Sequence, residues 1–199
     1  YIIIEEFIKG DSVDYLVKQK GAFSEEKAVS YIIDIGEALK QIHSRNIVHR
    51  DVTPNNVIID KNDRAILLDL DIARIEYKNE SRDTTLLGTA GFASPEQYGF
   101  QQTDFRSDIY SIGKTIEALI KANNIKCNLK KIVSKSISFD PKDRYNSVSE
   151  MKRAVIISKY GISFSVVTTL IFVLALIIVL KNNHNKVELH TEQTTTDIT

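Results

Sequence analysis

The chain has 199 residues but only one cysteine, Cys127, and no net charge, since 26 Lys and Arg stand against 26 Asp and Glu. A single thiol excludes an internal disulfide framework, fits a reducing compartment and reads as a small buried hydrophobe. Balanced charge gives nucleic-acid binding no support. The opening Tyr1-Ile2-Ile3-Ile4 is an apolar strand too short for a signal peptide, and with no initial Met the chain reads as starting in mid-domain. Charge is missing altogether from Gly161 to Leu180, twenty residues rich in Val, Ile, Leu and Phe. At about 1.5 Å per residue, a helix of that length spans roughly 30 Å, the hydrocarbon core of a bilayer. Lys152, Arg153 and Lys159 precede the run, and Lys181 and Lys186 follow it. That mild bias places the preceding residues in the cytoplasm and the short polar tail, 181–199, outside and disordered.

What is present centres on His49-Arg50-Asp51-Val52-Thr53-Pro54-Asn55-Asn56, followed after a short interval by Leu67-Leu68-Asp69-Leu70-Asp71. An Asp, an Asn five positions on and a second Asp thirteen beyond that supply one base and a set of oxygen ligands. Phosphoryl transfer from a magnesium nucleotide needs that combination. A hydroxyl attacking a γ-phosphoryl group must be oriented and relieved of its proton, a task for Asp51. Mg²⁺ takes oxygen ligands and keeps several waters, so the Asn56 amide oxygen and the Asp69 carboxylate suffice beside the phosphates. Val57-Ile58-Ile59 and Ala65-Ile66-Leu67-Leu68 read as two strands joined by a turn at Lys61-Asn62-Asp63, a hairpin that returns Asp69 beside Asn56.

His-Arg-Asp followed by Asn resembles the catalytic loop of protein kinases, and of the eukaryotic-like bacterial serine/threonine kinases in particular. The likeness extends to Gly88-Thr89 through Ser94-Pro95-Glu96, similar to the family's Gly-Thr…Ala-Pro-Glu element. It extends also to Asp108-Ile109-Tyr110-Ser111-Ile112-Gly113, similar to the start of its central helix, and to Arg144, which would pair with Glu96. The resemblance implies an α+β, mainly helical fold. Residues 1–10 would be the end of the small lobe and the hinge, 11–158 the large lobe, 161–180 a transmembrane helix and 181–199 the outer tail. ATP and Mg²⁺ (or Mn²⁺) would be the cofactors. Proteins with Ser or Thr acceptors, the lipid bilayer and a second copy of the chain are the candidate partners.

The resemblance also distributes roles. Asp51 is the base, Asn56 and Asp69 the metal ligands. Ile4 is the gatekeeper, Glu5 and Phe7 bind adenine through their backbones, Asp11 meets the ribose, and Ile58 packs under the adenine. Thr89 bonds the catalytic Asp and favours Ser or Thr over Tyr as acceptor. Asp108 holds the catalytic-loop backbone, and His49 packs inside rather than acting as a base. Arg50 would bind a phosphate on Ser81, Thr84 or Thr85.

Two departures bear on activity. Thr53 stands where the family's lysine stabilises charge on the transferring phosphoryl group, and the loss of one such donor costs about 10²–10³ in rate. Asp71 replaces the glycine of Asp-Phe-Gly and loses its backbone freedom, or serves as a third metal carboxylate, while Leu70 keeps the apolar plug. Residues 1–199 hold no Gly-x-Gly-x-x-Gly loop, strand lysine or helix glutamate in the family's order. The expectation is a large lobe without its small lobe, inactive by itself. The alternatives are a membrane-tethered pseudokinase acting as a binding module and a small-molecule phosphotransferase sharing the loop.

The local pattern predicts the helices. Asp11 or Ser12 caps a short helix that Gly21 ends, and Ser24 opens a long one with a stripe at Ala28, Ile32, Ile35, Leu39 and Ile42. A third helix runs from Asp108 to about Lys121, a fourth over 128–137, and a last one, capped by Ser147, to about Ile157. Only 35 residues separate Asp108 from Arg144, so the helix that commonly docks protein substrates is reduced or missing.

Overall fold

In this computed structural model the described residues are 6–21, 23–75, 88–99, 102–123 and 129–196, and the side chains at 74–75, 120–123, 160–167 and 182–196 are not described. Ile4, Glu5, Ser81, Thr84, Thr85 and Cys127 therefore lie outside them. Residues 1–158 form one compact unit and 159–199 another.

In the first unit, strand β1 (Gly10–Ser12) runs directly into helix α1 (Val13–Lys20). The Ser12 hydroxyl accepts from the Tyr15 N–H at 3.2 Å, which satisfies one of the helix's open donors. Gly21, at φ +69°, ends the helix in a conformation that side chains resist. Helix α2 (Glu25–His43) begins the same way, with Ser24 accepting from the Lys27 N–H and with Glu25 and Glu26 at the positive end of the helix dipole. Its stripe faces inward: Ala28, Ile32, Ile35 and Leu39 are buried, and Ile42 packs against the core. Each fully buried branched side chain contributes about 1.5–3 kcal/mol.

Strand β2 (Ile47–Val48) delivers the chain to the His49 loop, and β3 (Val57–Asp60) and β4 (Ala65–Leu67) form the expected hairpin. Its register, Val57↔Leu67, Ile58↔Ile66 and Ile59↔Ala65, sets Val57 and Ile59 into the core and leaves Ile58 on the other face. Strand β1 adds to the free edge of β3 with Asp11 opposite Ile59, and a Cβ at Gly10 would collide with the Ile59 carbonyl. The turn is tied by Asp60, which accepts from the Asn62 and Arg64 N–H groups, and by Asp63, which accepts from Tyr31 at 2.6 Å and Lys27 at 3.0 Å. Strand β5 (Arg74–Ile75) pairs with β2.

Helix α3 (Phe105–Asn123) passes through the centre and carries Ile109, Ile112, Ile116 and Leu119, all buried. Gly113 lets helix α4 (Leu129–Ser136) approach, since a Cβ there would sit 2.7 Å from the Ser136 Cβ. Val148, Met151 and Val155, at the start of helix α5 (Val148–Thr196), close the core. The Ser147 hydroxyl accepts from the Glu150 N–H at 3.1 Å, the expected cap.

One expectation about the C-terminal residues differs from what is found. The last helix does not stop near Ile157; α5 runs on to Thr196, through residues read as a disordered tail. Residues 148–196 contain no proline and a single glycine, Gly161, so no strong helix breaker interrupts it. Within the second unit, Leu170 to Leu174 and Leu176 to Leu180 expose large apolar side chains. Among the described residues no helix is long and apolar enough to cross a membrane, and seven of the twenty residues expected to do so, 161–167, lie outside the described side chains.

Candidate active site

The loop from His49 to Asn56 is held open by groups distant in sequence. Asp108, fully buried on α3, accepts from the His49 N–H at 2.9 Å, the Arg50 N–H at 2.7 Å and the His43 ring at 2.7 Å. An isolated buried carboxylate would be costly, and these three donors offset that cost while fixing the loop to the central helix. The Thr115 hydroxyl, two turns along α3, donates to the Val52 carbonyl at 3.1 Å. His49 is buried, with its Nδ1 accepting from the Asp51 N–H at 3.3 Å and its Nε2 donating to the Leu68 carbonyl at 3.1 Å. Both ring nitrogens are thereby occupied in the neutral tautomer, which leaves no nitrogen for proton abstraction.

Asp51 is half-buried and completely addressed. Its Oδ1 accepts from the Thr89 hydroxyl at 2.7 Å and the Thr89 N–H at 3.1 Å. Its Oδ2 accepts from the Asn56 amide at 2.7 Å, which also donates to the Asp51 main-chain carbonyl at 3.0 Å. These bonds fix the carboxylate's position while part of it stays accessible. The Asn56 carbonyl accepts from the Leu68 N–H at 2.8 Å, which continues the hairpin by one rung and sets Asp69 beside Asn56.

Asp69 is exposed and left-handed at φ +70°, and its Oδ1 accepts from the Asp71 N–H at 2.9 Å. Asp tolerates this conformation because its short side chain can bond its own backbone two residues on. The strain expected at Asp71 is therefore absent there: it falls on Asp69, and Asp71 adopts no positive φ. Leu70, read as an apolar plug, is 46% exposed. Thr53, read as facing the phosphoryl group, is 1% exposed and lies within the loop, its carbonyl accepting from the Asn56 N–H at 3.0 Å.

The donor chemistry suits a hard divalent cation. Asn56, its amide nitrogen committed to Asp51, keeps its amide oxygen as an acceptor, and Asp69 offers carboxylate oxygen; Mg²⁺ takes such ligands while retaining waters and phosphate oxygens. Among the described residues no group of three or more His, Cys, Asp or Glu could hold a metal ion.

Below the site, Glu96 and Arg144 form a pair buried to 2% each, with fork-to-fork bonds of 2.7 and 2.8 Å. Ser107 donates to the same Glu96 carboxylate at 2.7 Å, and Arg144 also donates to the carbonyls of Ser138, Arg106 and Phe139. Burial pushes the Glu96 carboxyl up, but the Arg144 bonds and charge outweigh it and hold the group below its ordinary value of 4.5.

Residues 1–152 match the protein kinase domain family. The chain belongs to that family. It is 26% identical over 178 residues to a probable serine/threonine-protein kinase of Clostridium perfringens, an alignment covering 75% of this chain and 26% of that protein. Against the serine/threonine-protein kinase PknA of Nostoc it is 25% identical over 183 residues, covering 78% and 32%. Against PknB of Mycolicibacterium smegmatis it is 26% identical over 185 residues, covering 77% and 30%. The chain thus spans about a third or less of the curated relatives it matches.

Of the residues singled out from the sequence, the kinase lobe brings together Asp51, Asn56, Asp69, Thr89, His49 and Asp108, and separately Glu96 with Arg144. Asp11 and Ile58 lie on neighbouring strands just past the loop's end at Asn56, whereas Phe7 is 89% exposed. Arg50 is 6% exposed and donates to the Thr103 hydroxyl at 2.5 Å; the three phosphate sites proposed for it lie outside the described residues. Sequence reasoning missed His43 and Gln97. His43 follows Leu39 at helical spacing and could have been flagged as a polar residue at the end of an apolar stripe.

Proposed function

We propose that the chain is the large lobe of a membrane-anchored serine/threonine protein kinase that transfers the γ-phosphoryl group of ATP to a Ser or Thr hydroxyl on a protein. The observation that carries this reading is the Asp51 carboxylate, held by Thr89 on one oxygen and Asn56 on the other. A hydroxyl entering beside Thr89 meets a carboxylate already in position to take its proton as the new O–P bond forms. Asn56 and Asp69 would hold Mg²⁺ (or Mn²⁺), which neutralises charge on the phosphates when bound. Asp11 and Ile58 would meet the ribose and adenine. The glycine-rich loop, strand lysine and helix glutamate of the family are not within residues 1–199, so those residues by themselves transfer phosphate poorly, the nucleotide being gripped from one side only. The anchor is supported by the charge-free run 161–180 and the exposed apolar residues that end it, and it would keep the lobe on the cytoplasmic face.

A second reading, a membrane-tethered pseudokinase that binds without catalysing, is favoured by Thr53, a buried neutral residue where the family has its lysine. The two readings separate when the whole protein is given Mg–ATP and peptides offering Ser, Thr or Tyr. The kinase labels Ser or Thr, spares Tyr and stops when EDTA removes the metal; nucleotide binding with no labelling would leave the pseudokinase. The anchor has its own test: native protein should stay with membranes in alkaline carbonate, and deleting 161–180 should release it. Native protein that extracts freely is not anchored there.

A further inference from the structure

Arg50, immediately before Asp51, has φ +71°, a left-handed conformation that a long side chain rarely adopts. Such a backbone persists only where its surroundings over-determine it. The peptide before Arg50 is pinned by Asp108, which accepts its N–H at 2.7 Å. The peptide after it joins Arg50 to Asp51, and its plane decides where the Asp51 side chain starts. That plane is held at both ends: its N–H by His49 Nδ1 at 3.3 Å and its carbonyl by the Gln97 amide at 2.8 Å.

Gln97 is 3% exposed and bonded at its other end too, its Oε1 accepting from the Ser94 N–H and hydroxyl at 3.0 Å each. It lies in a short 3₁₀ turn, Pro95–Tyr98. The same amide nitrogen would be 2.7 Å from a Cβ at Gly88, so the glycine before Thr89 makes room for Gln97. One side chain therefore touches the segment that carries Thr89, the turn that carries Glu96, and the carbonyl next to Asp51.

We propose that Gln97 is a positioning residue for phosphoryl transfer, fixing the Arg50–Asp51 peptide so that Asp51 is aimed only while the 88–99 segment is folded. This rests on the kinase reading above. It goes further in making the acceptor-side segment responsible for the base, through a residue with no contact to the reacting atoms.

The test uses two variants of the whole protein. Gln97→Met keeps the length and volume but can make neither bond; Gln97→Glu keeps the acceptor end and, ionised, loses the donor. Amide hydrogen exchange across residues 49–52 should accelerate about tenfold or more in both, with exchange in α2 and α3 unchanged. Where the native protein turns over, kcat should fall by about tenfold to a hundredfold at an unchanged KM for ATP, the penalty of a misplaced base rather than a lost binding contact. If exchange at 49–52 stays native in both variants, or if kcat is unchanged, Gln97 positions nothing. Native protein that transfers no phosphate would sink the kinase reading instead, and the exchange rates would still decide about Gln97. Should Gln97→Met fail to fold, Gln97→Glu, which retains the Ser94 bonds, carries both measurements.

Discussion

The lobe contains two carboxylates placed with equal care for opposite ends. Glu96 is sealed at 2% exposure against an arginine that can never give up its charge. Asp51 is held by three bonds from neutral donors and left half-open. A guanidinium clamped on Asp51 would take up both of its oxygens, as Arg144 does those of Glu96, whereas hydroxyl and amide donors fix the direction of the Asp51 carboxylate and leave part of it accessible. A water-exposed position for Glu96 would leave it worth little, since surface ion pairs contribute about 0–1 kcal/mol. Partner identity and burial, rather than the carboxylate itself, thus divide scaffold from chemistry.

The comparison breaks most visibly at Arg144. Arg144→Ala leaves Glu96 buried without its charged partner and takes one donor from each of three carbonyls, and should cost about 3–5 kcal/mol of unfolding free energy, read by urea or thermal denaturation. A loss under 1 kcal/mol would mean water reaches the pair. Thr89→Val sharpens the other side. It removes the 2.7 Å hydroxyl bond to Asp51 and should lower kcat about tenfold to a hundredfold, as for a hydrogen bond to a charged group, with an unfolding midpoint near the native one. A large stability loss with normal kcat would move Thr89 to the scaffold side.

The smallest effect is in acid. Because the folded-state pKa of Glu96 is depressed below 4.5, its contribution is fully present above that value and is lost as pH falls through the folded pKa. Native protein should lose stability progressively below about pH 4.5, and Glu96→Gln, less stable at neutral pH, should lose less over that window. Parallel acid slopes for the two would assign the titration to other groups.

How much of this was legible in the sequence depends on how far each interaction reaches. The α2 stripe, the Ser12, Ser24 and Ser147 caps and the β3–β4 hairpin follow from periods and turn residues a few positions apart, and the structure has them within a residue or two. Glu96 with Arg144 and Asp51 with Thr89 were reachable only through family resemblance, because the partners are 48 and 38 positions apart and nothing local announces the meeting. Gln97 was missed for the same reason: its partner carbonyl is 47 residues away, and a backbone acceptor leaves no mark on sequence. The misreading of Asp71 had a different origin. A glycine lost from one position suggested strain at that position, but the turn closes with Asp69 left-handed instead, where its own carboxylate catches the Asp71 N–H. Residues 161–180 were read as a helix and α5 includes them; its run through 181–196 was missed because polar composition was read as disorder in a stretch without proline.

The most direct measurement is the single-turnover rate of phosphoryl transfer by the whole protein carrying Asp51→Asn, with nucleotide affinity measured alongside. If Asp51 is the base, the rate falls on the order of 10²–10⁴-fold while Mg–ATP binds as tightly as before. A native rate in the variant would contradict the account.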